Sequence, residues 1–140
     1  MTTTRPAIKL TDEGARILLE AAIEHATKMG VPQCIAIVDE GCNLVAFFRM
    51  TGSRVLSIQS AQRKAMTAAS TGKPTGSLDP AIDLKLALAT DGDMVNIKGG
   101  LPIMTEGQVI GGIGVGSGTG DQDLEVANAA LSRFGGATPS

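Results

Sequence analysis

Four features of this chain carry side chains or backbone suited to chemistry. His25 is the only histidine, and imidazole is the side chain whose charge changes near neutral pH. It can carry a proton or serve as an axial ligand to a haem iron, or it can simply pack at an interface. Lys64 sits among alanines in Ser60-Ala-Gln-Arg-Lys-Ala65. A lysine beside an apolar seam can act as a base or Schiff-base nucleophile; the alternative is that it snorkels to solvent. Arg49 ends the apolar run Leu44–Phe48, where a guanidinium can clamp a carboxylate through two parallel hydrogen bonds. The fourth feature is glycine: six of the ten residues from Gly111 to Gly120.

That glycine run has two readings. It precedes a helix start, so Gly116, Ser117, Gly118, Thr119 and Gly120 can present backbone N–H donors to a carboxylate or phosphate. Neither a G-x-x-x-x-G-K-[ST] loop nor a correctly spaced G-x-G-x-x-G is present, so nucleotide-binding fingerprints do not apply. The other reading is a bare strand that a neighbouring element approaches closely. A single histidine also excludes a three-histidine zinc site within one chain, and no metal site is expected. Asp39 and Glu106 read as turn residues and Glu40 as a solvated charge. Asp121 and Asp123 suit the start of a helix, and Cys34 and Cys42 read as structural thiols.

The elements that must position these residues follow from periodicity. Thr11 caps an expected helix over Asp12–Met29, whose apolar face is Ala15, Leu18, Leu19, Ala22, Ala26 and Met29. Gly30 stops it and Pro32 prevents its resumption. Cys34–Asp39 and Leu44–Arg49 form a hairpin. Helices are expected over Leu56–Ser70 and Pro80–Ala89. Met94–Lys98 reads as a third strand, and Leu101–Thr105 and Gln108–Val115 as a hairpin about Glu106-Gly107. A last helix is expected over Asp121–Phe134, capped by Gly135, with a loose lead-in Met1–Lys9 and a short tail Gly135–Ser140. Consecutive hairpins make this an α+β single domain, residues 1–140, with a five-stranded, mainly antiparallel sheet.

The 140 residues suffice for one core, and 43% hydrophobic content with 19% charge is globular. Phe47, Phe48 and Phe134 are the only aromatic residues, so the core is built from small and aliphatic side chains. A net charge of −2, with dispersed basic residues, offers no footprint for nucleic acid. No apolar run is long enough to span a bilayer, and no signal core opens the chain. A cytoplasmic protein with reduced thiols is the expectation.

Taken in order, Ile35-Ala-Ile-Val-Asp39-Glu-Gly, Val45-Ala-Phe-Phe-Arg49-Met, Ser60-Ala-Gln-Arg-Lys64-Ala-Met-Thr-Ala-Ala69, Pro74-Thr75, Gly99-Gly-Leu-Pro-Ile103, Gly111-Gly-Ile-Gly-Val-Gly116 and Asp121-Gln-Asp-Leu-Glu-Val-Ala127 resemble the GlcG/HbpS family. That family also contains the C-terminal domain of PduO-type proteins. The resemblance covers residues 10 to 133. It implies an α+β sandwich, with a five-stranded antiparallel sheet flanked by helices and assembly into homo-oligomers from dimers to octamers. It also implies haem binding through a helix histidine in some members, a role only His25 can take here. Other members resemble extracellular haem or iron sensors, or belong to catabolic pathways. Gln59 and Gln62 stand where a sensing relative can carry glutamates, and neutral amides are poor ligands for ferric iron. Cys42 occupies a turn where glycine is common in the family.

Three functions remain open on these grounds. One is a binding protein for haem or a related planar cofactor with His25 as ligand, against which the scarcity of aromatics weighs. The second is a small enzyme without redox cofactor, a lyase, isomerase or hydrolase. Arg49 and the Gly116–Gly120 amides would hold a carboxylate-bearing substrate, and His25 or Lys64 would move a proton. The third is a structural or accessory oligomer.

Overall fold

A computed structural model describes residues 2–137. Met1 of the expected lead-in and residues 138–140 of the expected tail lie outside the described residues. The elements are α1 (Asp12–Met29), β1 (Cys34–Asp39), β2 (Leu44–Arg49), α2 (Ser57–Thr71), α3 (Pro80–Ala89), β3 (Gly100–Thr105), β4 (Gln108–Gly116) and α4 (Gly120–Ala137).

Local chemistry sets the boundaries. The Thr11 side chain accepts from the Gly14 N–H, and Gly30 ends α1 at φ +70°, a left-handed turn that glycine takes without steric cost. Asp79 caps α3 by accepting from the Ala81 N–H, with Pro80 in the first turn. In the β1–β2 turn, Asp39 Oδ1 accepts from the N–H groups of Gly41 and Asn43 at 2.9 and 3.0 Å. The two-residue turn between β3 and β4 has positive φ at both Glu106 and Gly107, the backbone twist that suits a tight hairpin.

The strands form one antiparallel sheet in the order β2-β1-β4-β3. α1 and α4 cover one face. There Ile35, Ile37, Ile103, Ile113 and Val115 meet Leu18, Ala22 and Ala26 of α1 and Val126, Ala127 and Ala130 of α4. Burying each of the larger aliphatic side chains is worth about 1.5–3 kcal/mol. α2 covers the other face, where Ala61, Ala65 and Ala69 meet Cys34, Ala36 and Val38. β1 is apolar on both faces because both are covered.

The glycines of β4 explain how α2 sits so close. A Cβ on Gly112 would overlap the Ala65 carbonyl oxygen, and one on Gly114 the Ala61 carbonyl oxygen. α2 therefore rests on bare strand backbone, as the close-approach reading of the glycine run expects.

Two expectations are corrected. Among the described residues the sheet has four strands rather than five, because Met94–Lys98 is not a strand. Its Met94 and Val95 N–H groups donate to the hydroxyls of Thr90 and Thr67, both at 3.0 Å, and Asn96 bonds to Leu78 and Asp83. Side chains take the place of a ladder partner. The last helix also does not stop at Gly135 but continues to Ala137. Gly135 has no positive φ, and a Cβ there would meet nothing within 4 Å among the described residues beyond its own helix, so the helix runs on.

Gly114→Ala should cost about 3 kcal/mol or more, since the strain cannot be relieved without lifting α2 from the sheet. Gly135→Ala, in an open helical position, should stabilise by up to about 1 kcal/mol. Urea denaturation of the two variants beside wild type checks both signs.

Candidate functional site

Near the N-terminal end of β1, the chain brings together residues from four elements and the segments that connect them. Lys64 of α2 and Asp123 of α4 have side chains only 4% and 3% exposed and are paired at 2.9 Å. Lys64 Nζ also donates to the Val115 carbonyl at 2.8 Å. Asp123 Oδ1 accepts from the Gly118 N–H at 2.9 Å, and Gln33 Oε1 accepts from the same N–H at 3.2 Å. Gln33 Nε2 is buried with no hydrogen-bond partner among the described residues. Gly99, at φ +122°, passes so close that a Cβ there would lie 3.0 Å from Lys64 Nζ and 2.5 Å from the Val115 oxygen. The neighbouring Gly100 N–H donates to Thr75 Oγ1 at 2.8 Å.

Lys64 thus neither snorkels to solvent nor stands free as a nucleophile. Its ammonium bridges α2, β4 and α4. A buried pair of this kind recovers its desolvation cost only through good geometry and further hydrogen bonds, and removal of one partner strands the other charge.

The expected anion cradle is engaged in part by the protein itself. Besides the Gly118 N–H, the Thr119 N–H donates to Gln122 Oε1 at 2.9 Å, and Thr119 Oγ1 accepts from the Gln122 N–H at 3.2 Å. This reciprocal box pairs the N–H groups of Thr119 and Gln122 at the start of α4. Ser117, at φ +99°, accepts from the Arg54 N–H through Oγ at 2.8 Å. Gly116 lies under α2, near Ser57 and Ser60, and Gly120 opens α4 beside Lys98. Arg49 is exposed at the end of β2, opposite Cys34, which in turn faces Gly116.

His25 lies on the sheet's other face, on α1 where it meets α4. Its Nε2 is 2.7 Å from Glu125 Oε2, with the imidazole side chain about one-third exposed. Next to it, Glu24 ties Lys28 to Arg133 of α4. Lys28 foremost, with Arg133, holds the Glu24 carboxyl below the ordinary 4.5. Asp123 and Glu125, two residues apart, point from α4 to different sides: one to Lys64, the other to His25.

Gln59 is exposed on α2, and Gln62 spends its amide on the Ile58 carbonyl at 3.0 Å. Cys34 and Cys42 are free thiols. Among the described residues, no helix is long and apolar enough to cross a membrane, and no cluster of three or more His, Cys, Asp or Glu residues is placed to hold a metal.

The haem-degrading, HbpS-like family model matches residues 10–132. The chain belongs to this family. It is 30% identical over 135 residues to the corrinoid adenosyltransferase PduO of Citrobacter freundii, a match that covers 93% of this chain and 40% of PduO. The chain therefore spans less than half the length of that relative. The crystal structure of Klebsiella pneumoniae protein ORFY superposes with a TM-score of 0.92 at 29% identity, covering 99% of each chain. The PduOC:heme complex superposes with a TM-score of 0.84 at 27% identity, covering 90% of this chain and 95% of that one. Haem binding is accordingly found within the family.

Sequence reasoning singled out Lys64 and His25 but not their partners. From the sequence Asp123 reads first as a helix-start residue and second as a catalytic carboxylate, and Glu125, Gln33 and Thr75 carry no signal as site residues. Their roles depend on which helices meet.

Lys64→Met should destabilise the fold by about 3–5 kcal/mol by stranding the Asp123 carboxylate. Adding Asp123→Leu should restore a large part of that loss. A double-mutant cycle in urea measures the coupling directly.

Proposed function

We propose that this chain binds haem or a related planar cofactor through His25. The observation that supports it most is the His25–Glu125 pair. The chain's only imidazole is part-exposed, and a carboxylate holds one of its ring nitrogens. A metal-ligating histidine commonly has its second nitrogen held this way, which fixes the tautomer and raises the basicity of the ligating one. With Nε2 held by Glu125, Nδ1 is the nitrogen left for an iron porphyrin in this rotamer, and a flip of the ring exchanges the two. Bound haem would supply iron-centred ligand or redox chemistry. The protein would contribute the imidazole, its orientation by Glu125, and the rigid α1–α4 pair on which both stand.

The functional unit in this reading is a homo-oligomer, a dimer or a larger ring up to an octamer. Its support is the apolar surface that one copy leaves open. Leu84 and Leu88 are 69% and 71% exposed on α3, a helix with no buried residue. Leu44 and Phe48 on edge strand β2 are also exposed. Paired exposed leucines on one helix and an unpaired edge strand are surface that a second copy of the chain can cover.

The alternative, a cofactor-independent lyase, isomerase or hydrolase acting on a small carboxylate, has less support. Lys64 is committed to Asp123, and the N–H groups of Gly118 and Thr119 are committed to side chains. Arg49 and His25 would be left to hold substrate and move the proton.

The test is a haem titration of purified apo-protein, wild type beside His25→Ala, followed by visible absorption. The expected result is a Soret shift that saturates at one haem per subunit or per subunit pair and is lost in the variant. A weak, unsaturating signal indifferent to the substitution overturns the proposal.

A further inference from the structure

On the α2 face of the sheet, away from the α1–α4 pair that carries His25, three sulfur-bearing residues line one cavity of about 260 Å³: Cys42, Met66 and Met94. They come from the β1–β2 turn, the middle of α2 and the segment after α3. No two of them are close in sequence. Cys42 is a free thiol with left-handed backbone, φ +66°, and Sγ lies 3.4 Å from the Met66 carbonyl oxygen, to which it donates. The thiol is thus turned inward onto α2 rather than out to solvent.

The third residue is held by the polar lining. Thr90 Oγ1 accepts from the Met94 N–H, and Thr67 Oγ1 accepts from the Val95 N–H. The same two hydroxyls donate to helix carbonyls, Thr90 to Leu86 and Thr67 to Arg63. The Thr67 and Thr90 hydroxyls are spent on fixing the backbone that carries Met94. The rest of the lining is the three sulfur-bearing residues, the exposed Ser70 and the Asp93 carboxylate at the rim, 3.9 Å from Arg63 Nε.

Burial first, then the Asp39 and Asp93 carboxylates, pushes the Cys42 thiol above its ordinary range. It is therefore a protonated, sluggish nucleophile at neutral pH, ill suited to redox exchange. Only a strongly thiophilic partner would displace its proton. Thiolate and thioether donors select soft metals over magnesium or calcium, and a set of one thiolate with two neutral thioethers suits the charge of monovalent Cu(I) better than that of a divalent ion.

We propose that Cys42, Met66 and Met94 form a binding site for a soft monovalent cation, Cu(I). Binding exchanges the thiol proton for the metal: the S–H bond breaks, a Cu–S bond forms, one proton leaves to solvent, and no electron is transferred. The two thioethers complete a three-sulfur set. The site is independent of the haem reading, since it shares none of the residues proposed for haem.

The test is an anaerobic Cu(I) titration of the full chain in competition with bathocuproine disulfonate, with X-ray absorption at the copper edge. The expected result is one Cu(I) per chain, about one proton released, and a first shell of sulfur alone. Cys42→Ser should abolish binding. The volume-conserving double change Met66→Leu with Met94→Leu should weaken it by about tenfold or more, and Cys34→Ala should leave it unchanged. Thermal melts of each variant establish that the fold is retained. Unaltered affinity in Cys42→Ser, unaltered affinity in the double methionine variant, or failure to compete with the chelator each overturns the proposal.

Discussion

The contact on which the rest of this structure depends is the seating of α2 on the bare backbone of β4. Strand and helix approach until the Ala61 and Ala65 carbonyls stand where side chains of Gly114 and Gly112 would be. Small residues on both sides permit it, and a chain with three phenylalanines and no larger aromatic gains its cohesion from such close packing. The approach also carries Lys64 within reach of the Val115 carbonyl and of Asp123. A helix lifted by the width of one methyl group would leave that ammonium buried and short of its partners. The glycine density is therefore a constraint on polar chemistry as much as on packing.

From this contact two sides of the start of α4 acquire different tasks. One side closes the Lys64–Asp123–Gly118 node, which ties α4 to α2 across the sheet edge. Further along, Glu125 turns to α1 and fixes His25. The buried pair works within the fold, and the part-exposed pair is available to a ligand. The burial difference sorts two otherwise comparable acid–base pairs into a structural one and a candidate functional one.

Much of the secondary structure was legible locally. Thr11 and Gly30 bracket α1, Asp79-Pro80 opens α3, and Glu106-Gly107 turns the second hairpin, because caps and turns are decided by a few adjacent residues. The ordered motifs likewise pointed to the family now shown by its match over residues 10–132. The misplaced strand at Met94–Lys98 shows the limit of local reading. Its apolar alternation suits a strand, but a strand needs a ladder partner, and Thr67 and Thr90 supply the hydrogen bonds instead. Gly135 fails as a stop for a related reason: a glycine ends a helix only where the chain turns left-handed.

The sequence by itself determined where most caps and turns fall, which helix faces are apolar, and that the glycine run is bare enough for close approach. Those properties follow from residue type and spacing along one element. Only the tertiary structure decided that Lys64 is buried rather than free, that Asp123 and Glu125 serve different partners, and that Cys42, Met66 and Met94 share a cavity. Each depends on side chains from elements distant in sequence, and their separation is set by helix-on-sheet packing that no local pattern encodes.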